Sequence, residues 1–223
     1  MVDVPLPDSE QENKSVPQDI MDRVKYILNN IFYNDIIFAT LFTDRGMKLI
    51  PDYKHGTLAT NCENIYWNPD YVKTFDDDQI KGFLYHEMLH CIGLTAGKTH
   101  RLESFIENGD DRYPKTKKLA PAQRSMISNW ASDYEINNTV KAMGFWDDKE
   151  GKSRVPSDIL YSESVKGKNL AEILNDILQQ TVIPETKAET YKTINQVFTD
   201  KEERQRAKDM VESGQILMLP PKL

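Results

Sequence analysis

Apolar positions recur at three- and four-residue intervals through Ile20, Met21, Val24, Ile27, Leu28, Ile31 and Phe32, which predicts an amphipathic helix from about Ser15 to Tyr33. Ser15 with Gln18 three residues on, and Pro17 in the first turn, has the form of a capping box. Asn34-Asp35 breaks this pattern. The run Ile36 to Phe42 is apolar without a clear period and leaves helix and strand open. Met47 to Ile50 and Glu63 to Trp67 read as extended segments, the second closed by Asn68-Pro69-Asp70.

A well-marked helix start follows. Asp76 is a good N-cap, Gln79 can return its bond, and Phe75 with Ile80 forms a hydrophobic staple. Asp77 and Asp78 favour the positive end of the dipole, so a helix is expected from about Asp77 to Leu94. Residues 95–120 read as a long loop, with a turn at Asn108-Gly109-Asp110-Asp111 and a basic cluster at Lys115, Lys117 and Lys118. Pro121 opens another helix and Gly144 ends it. Residues 145–160 are loop-like, and Leu170 to Gln179 form a short amphipathic helix. Pro184 then separates a charged tail, with a helix expected from about Lys187 to Ser213. Residues 1–14 are polar, proline-spaced and expected to be disordered. The division is thus 1–14, a folded domain over 15–180, and a tail over 181–223. Helices mixed with a few short strands indicate an α+β fold.

Composition narrows the functional classes. The 223 residues carry 28 basic and 35 acidic side chains, a net charge of −7. Such a chain has no basic field for a phosphate backbone, so nucleic acid is not an expected partner. No apolar run has the length of a membrane span, and the N-terminus lacks the basic and apolar regions of a signal peptide. A soluble, cytoplasmic protein is expected. Cys62 and Cys91 are the two cysteines, too few for a disulfide framework, and are expected to be reduced, packed thiols.

The chemistry concentrates in His86-Glu87-Met88-Leu89-His90, an H-E-x-x-H pattern inside the capped helix. The i, i+4 spacing stacks two imidazoles one turn apart, so both can hold one zinc ion. Glu87 points aside, where it can take a proton from a zinc-bound water without being a ligand. A third ligand is needed. The extended pattern with a histidine six residues beyond the second fails, because Ala96 occupies that position. His100, Asp133 and Glu135 are the remaining candidates. Met126, Trp130, Asp133, Asn137 and Val140 recur at helical spacing, so Asp133 lies on a largely apolar face, where an acid needs a cation or a strong donor. Glu135 shares its side with Ser128, Ser132 and Thr139, which reads as solvated. Asn137 can orient Asp133 or a histidine. His100 can be a ligand or can donate to a substrate oxyanion. His55 reads as a solvated turn residue.

With Thr57 to Thr60, Ile65 to Pro69, Gln79 to Leu94, Asn129 to Asn137, Val155 to Tyr161 and Leu170 to Ile173, the chain resembles the putative metallopeptidase domain, a zincin-like family usually found before a von Willebrand A-like domain. The resemblance implies a zinc peptidase with a small sheet beside the motif helix. It implies His86, His90 and Asp133 as ligands and Glu87 as general base. It also implies that Glu63 to Trp67 lies along the cleft and pairs with extended substrate; Tyr66 or Trp67 could line it, but packing is the favoured role for both. Two departures stand out. Thr95 occupies a position where the family carries a further histidine, which His100 would supply after an insertion, and Asn61-Cys62 replaces an Asp-Gly turn. No A-like domain follows within these 223 residues, and a stand-alone or shortened version, of phage or mobile-element type, is expected.

Hydrolysis of a peptide or protein substrate is therefore the leading expectation. Two other readings compete with it. One is a zinc-stabilised, non-catalytic module that binds a protein partner through a closed site with His100 as fourth ligand. The other is a helical scaffold assembled through its tail.

Overall fold

Asp76 begins the helix on which the site is built. In the computed structural model its Oδ1 accepts from the Gln79 N–H at 3.0 Å, and Gln79 Oε1 accepts from the Asp76 N–H at 3.2 Å, a reciprocal cap. The structure describes residues 15–95, 99–149, 153–157, 159–180 and the single positions 191, 201, 204, 205, 208 and 209. Most of the charged tail, and the expected disorder of residues 1–14, lie outside these.

Seven α-helices and three strands are described: α1 (Gln18–Asn34), α2 (Ile36–Asp44), β1 (Lys48–Pro51), β2 (Leu58–Thr60), β3 (Asn64–Trp67), α3 (Pro69–Val72), α4 (Asp77–Thr95), α5 (Thr99–Asn108), α6 (Pro121–Ala142) and α7 (Leu170–Gln180). This is an α+β fold. Short 3₁₀ turns occur at Pro114–Lys118 and Glu163–Val165. The expected cap at Ser15 is not what starts α1. Pro17 takes the N-cap position with no side-chain bond, and Gln18 instead donates to Asp22 Oδ1 at 2.8 Å. The undecided run after Asp35 is helical because Asp35 caps it, Oδ1 accepting from the Ile37 and Phe38 N–H groups. The same carboxylate accepts from the Tyr85 hydroxyl at 3.3 Å and so joins α2 to α4.

The sheet has the order β1-β3-β2, with β1 parallel and β2 antiparallel to β3. The β2–β3 turn is held by Asn61, whose Oδ1 accepts from the N–H groups of Glu63 and Asn64. Residues 95–120 are not one long loop. Leu102, Phe105 and Ile106 give α5 an apolar face at i, i+3 and i+4, and Phe105 is buried by it.

Two apolar cores result. One joins α1, the sheet and α4 around Ile27, Ile65, Trp67, Leu84 and Met88, and takes Ile136 and Val140 from the end of α6. The other joins α5, the start of α6 and α7 around Phe105, Ile127, Trp130, Ile173 and Ile177. Helix α6 runs through both, and the candidate site lies where they meet.

Candidate metal centre

Helix α4 brings His86, Glu87 and His90 to the seam between the cores, and α6 brings Asp133 and Asn137. His90 Nε2 lies 2.9 Å from His86 Nε2 and 3.1 Å from Asp133 Oδ1, while His86 Nε2 is 3.7 Å from the same oxygen. Around a tetrahedral ion with bonds of about 2.0–2.1 Å, donor atoms stand roughly 3.3–3.4 Å apart. The three observed separations bracket that value. Among the described residues this is the group of His, Cys, Asp and Glu donors, all within 4.8 Å of one another, that can hold a metal ion.

The orientation of His86 is set from behind. Its Nδ1 donates to Asn137 Oδ1 at 2.7 Å, and Asn137 Nδ2 donates to the Leu160 carbonyl at 2.8 Å. Because the amide NH₂ is engaged by a carbonyl, the amide oxygen faces the imidazole, and the Nε2 lone pair is turned toward His90 and Asp133.

Burial and then the neighbouring His90 push the His86 pKa down to about 4, against the pull of Asp133 and Asn137. Its ring is therefore neutral at pH 7, the form a cation requires. Burial also disfavours the imidazolium of His90, but the hydrogen bond and charge of Asp133, with Glu87 behind them, outweigh it and raise that pKa. Burial lifts the Glu87 carboxyl to about 7, with the nearby His90 opposing the rise and Asp133 adding to it.

A cavity of about 850 Å³ opens over the cluster. Glu87 lines it together with His86, His90 and Asp133, yet stands outside the converging donor group. Leu89 and Ile92 of α4 and Leu102 and Ile106 of α5 supply apolar wall. His100 falls in the first turn of α5, and its side chain lies outside the described residues. His55 is half-exposed beside Asp52 and the Tyr66 ring.

Two expectations need correction. Glu63 to Trp67 does not lie along the cleft. β3 is the central strand, paired on both sides, Trp67 is fully buried, and neither Trp67 nor Tyr66 lines the cavity. Leu58 to Thr60 of β2 line it instead. The Asn68 N–H donates to the Thr57 carbonyl and the Asn61 N–H to the Asn64 carbonyl, so alternation turns the peptide groups of Leu58 and Thr60 away from β3. The second correction concerns Glu135. Its side of α6 is only partly solvated: Thr139 is exposed, but Ser128 is buried and Ser132 and Glu135 are half-buried, because α6 packs against α4, α5 and α7, and all four line the cavity.

Helices α4 and α6 together therefore carry a candidate His-His-Asp metal site. The chain belongs to the putative metallopeptidase domain family, whose model matches residues 25–211. No curated protein and no solved structure matches it. Among the described residues, no helix is long and apolar enough to cross a membrane.

Proposed function

We propose that the protein is a zinc-dependent peptidase that hydrolyses a peptide bond, with His86, His90 and Asp133 as ligands and Glu87 as general base. One observation carries this reading: two imidazoles and a distant carboxylate converge inside a cavity that Glu87 also lines. Two imidazole nitrogens and one carboxylate oxygen form a donor set suited to zinc, and three protein ligands are the usual complement of a catalytic site. When bound, the ion lowers the pKa of a water to about 7 and polarises the substrate carbonyl. Glu87, with its pKa near 7, accepts the proton of the attacking water and passes it to the leaving amine. Asn137 keeps His86 in its Nδ1–H form throughout. The outward peptide groups of Leu58 and Thr60 are suited to pair with an extended substrate without demanding a sequence. His100 is our candidate donor to the developing oxyanion, on a helix whose Leu102 and Ile106 line the cavity.

The test is Glu87→Gln in the zinc-loaded chain, assayed on an unfolded-protein peptide mixture. Metal stoichiometry should stay that of the wild type, while cleavage falls by about 10²–10⁴. Equal cleavage by the variant and the wild type would sink the assignment.

A further inference from the structure

The chain has two cysteines, and the fold brings them together. Cys91 follows His90 on α4 and is fully buried. Its Sγ donates to the Glu87 carbonyl at 3.3 Å and lies 3.6 Å from Thr60 Oγ1. Cys62 sits in the β2–β3 turn, half-buried at the cavity wall, and its N–H donates to the same Thr60 oxygen at 3.0 Å. The Thr60 hydroxyl is thus shared between the two residues, and burial together with the neighbouring Cys91 thiol pushes the Cys62 pKa up to about 12.

Cys62 also has a φ of +65°, the one non-glycine residue with positive φ among those described. This left-handed conformation suits glycine or asparagine and places the Cβ of other residues too close to the following carbonyl. A side chain held there against local preference, with its thiol on the chain's other thiol, calls for a use of the pair.

We infer that Cys62 and Cys91 form a thiol modification site: a low-molecular-weight disulfide such as oxidised glutathione converts them to an intramolecular disulfide joining the β2–β3 turn to α4 beside His90. Cys62 is the accessible sulfur. Its thiolate, a minor form because burial and the Cys91 thiol raise the pKa, attacks one sulfur of oxidised glutathione, the S–S bond breaks, and one glutathione leaves. Cys91 then attacks the Cys62 sulfur of the mixed disulfide and releases the second glutathione. The two cysteine protons end on the two glutathione thiols. The cysteine pair loses two electrons, and the glutathione disulfide gains them. The new bond closes the loop from residue 62 to residue 91 and ties the cavity's edge strand to the motif helix. Neither metal nor peptide hydrolysis is needed for this step, so it stands or falls apart from the proposed activity.

The experiment uses the full chain, reduced and desalted, then equilibrated with graded mixtures of oxidised and reduced glutathione. Acid quenching, intact mass and peptide mapping follow. The expected product is a monomer lighter by two hydrogens in which the Cys62 peptide is linked to the Cys91 peptide. It returns to the reduced mass with dithiothreitol. Cys91→Ser should instead stop at a stable glutathione adduct on Cys62. The inference is overturned if the folded wild type keeps both thiols free under oxidised glutathione alone, stops at glutathione adducts, or pairs its cysteines only between two copies.

Discussion

Asn137 grips His86 and the chain beyond α6 at once: its Oδ1 accepts from His86 Nδ1 at 2.7 Å, while its Nδ2 donates to the Leu160 carbonyl at 2.8 Å. The ring of one motif histidine is therefore aimed by a residue one turn beyond Asp133. Removing such an outer partner of a metal-binding histidine commonly lowers metal affinity by about 10–100-fold. Asn137→Ala should show a loss of that size in zinc competition against a chromogenic chelator. Asn137→Asp keeps an acceptor for Nδ1 but sets a second oxygen against the Leu160 carbonyl, so it should recover only part of it.

Gly82 carries a different constraint. A Cβ at this position of α4 would overlap Trp146 Nε1 and stand 2.6 Å from Cε2 of the same indole. Trp146 is fully buried and packs edge-on to Phe83. In an open helix Gly→Ala would add about 0.8–1 kcal/mol of stability. Here overpacking costs about 1–3 kcal/mol, so the sign reverses. Gly82→Ala should lower the melting temperature by a few degrees. Combined with Trp146→Leu, its cost should be smaller than alone, a non-additivity that thermal melts of the four proteins would measure.

The start of α4 was readable because Asp76 and Gln79 satisfy each other within one turn, a purely local arrangement. Asp133 was readable because an acid on an apolar stripe needs a partner, whatever that partner is. The side of Glu135 fits that reasoning only in part, since Thr139 is exposed while Ser128 is buried. A stripe argument assumes one buried side, and α6 is enclosed on several. β2 has only three residues, Leu58–Thr60, too short for an alternation to show. That β3 is central and β2 peripheral follows from the parallel pairing of β1, a long-range contact that no local pattern reports. α5 was hidden because its three apolar residues, Leu102, Phe105 and Ile106, lie close to the turn and basic residues that made 95–120 look like loop.

The cap of α4 also makes stability depend on pH. Burial works against ionisation of Asp76, but the Arg154 guanidinium and the Gln79 N–H outweigh it and hold its pKa below 3.8. A carboxylate with a depressed pKa contributes stability that is complete above its unfolded value and is lost as pH falls through the folded one. Arg154→Met removes the partner, and for a half-exposed pair the cost at pH 7 is about 0.5–1 kcal/mol. In urea melts at pH 7, 5 and 3, the gap between wild type and variant should persist at pH 5. It should narrow at pH 3, where Asp76 protonates in both unfolded chains. A gap that widens on acidification would contradict the assigned sign.

Arg124 is buried, and its guanidinium is spent on backbone. Nε donates to the Ile106 carbonyl at 2.6 Å, Nη2 to that of Glu107 at 2.7 Å, and Nη1 to those of Thr116 and Leu119. Ile106 and Glu107 belong to the last turn of α5, whose carbonyls have no helical partner and carry the negative end of the dipole. One side chain from α6 thereby fixes both the end of α5 and the 3₁₀ turn that follows, and with them one wall of the cavity. Arg124→Met keeps the bulk and strands the Ile106, Glu107 and Leu119 carbonyls, while that of Thr116 keeps the Leu119 N–H, which should cost about 2–4 kcal/mol in urea unfolding. Arg124→Lys keeps the charge but not the planar fork, and should recover only part of the loss. Neither substitution touches His86, His90 or Asp133, so zinc affinity measured on the folded variants should remain that of the wild type. Amide exchange should accelerate over Thr99–Asn108 and stay unchanged over the core of α4, which separates loss of the wall from loss of the centre.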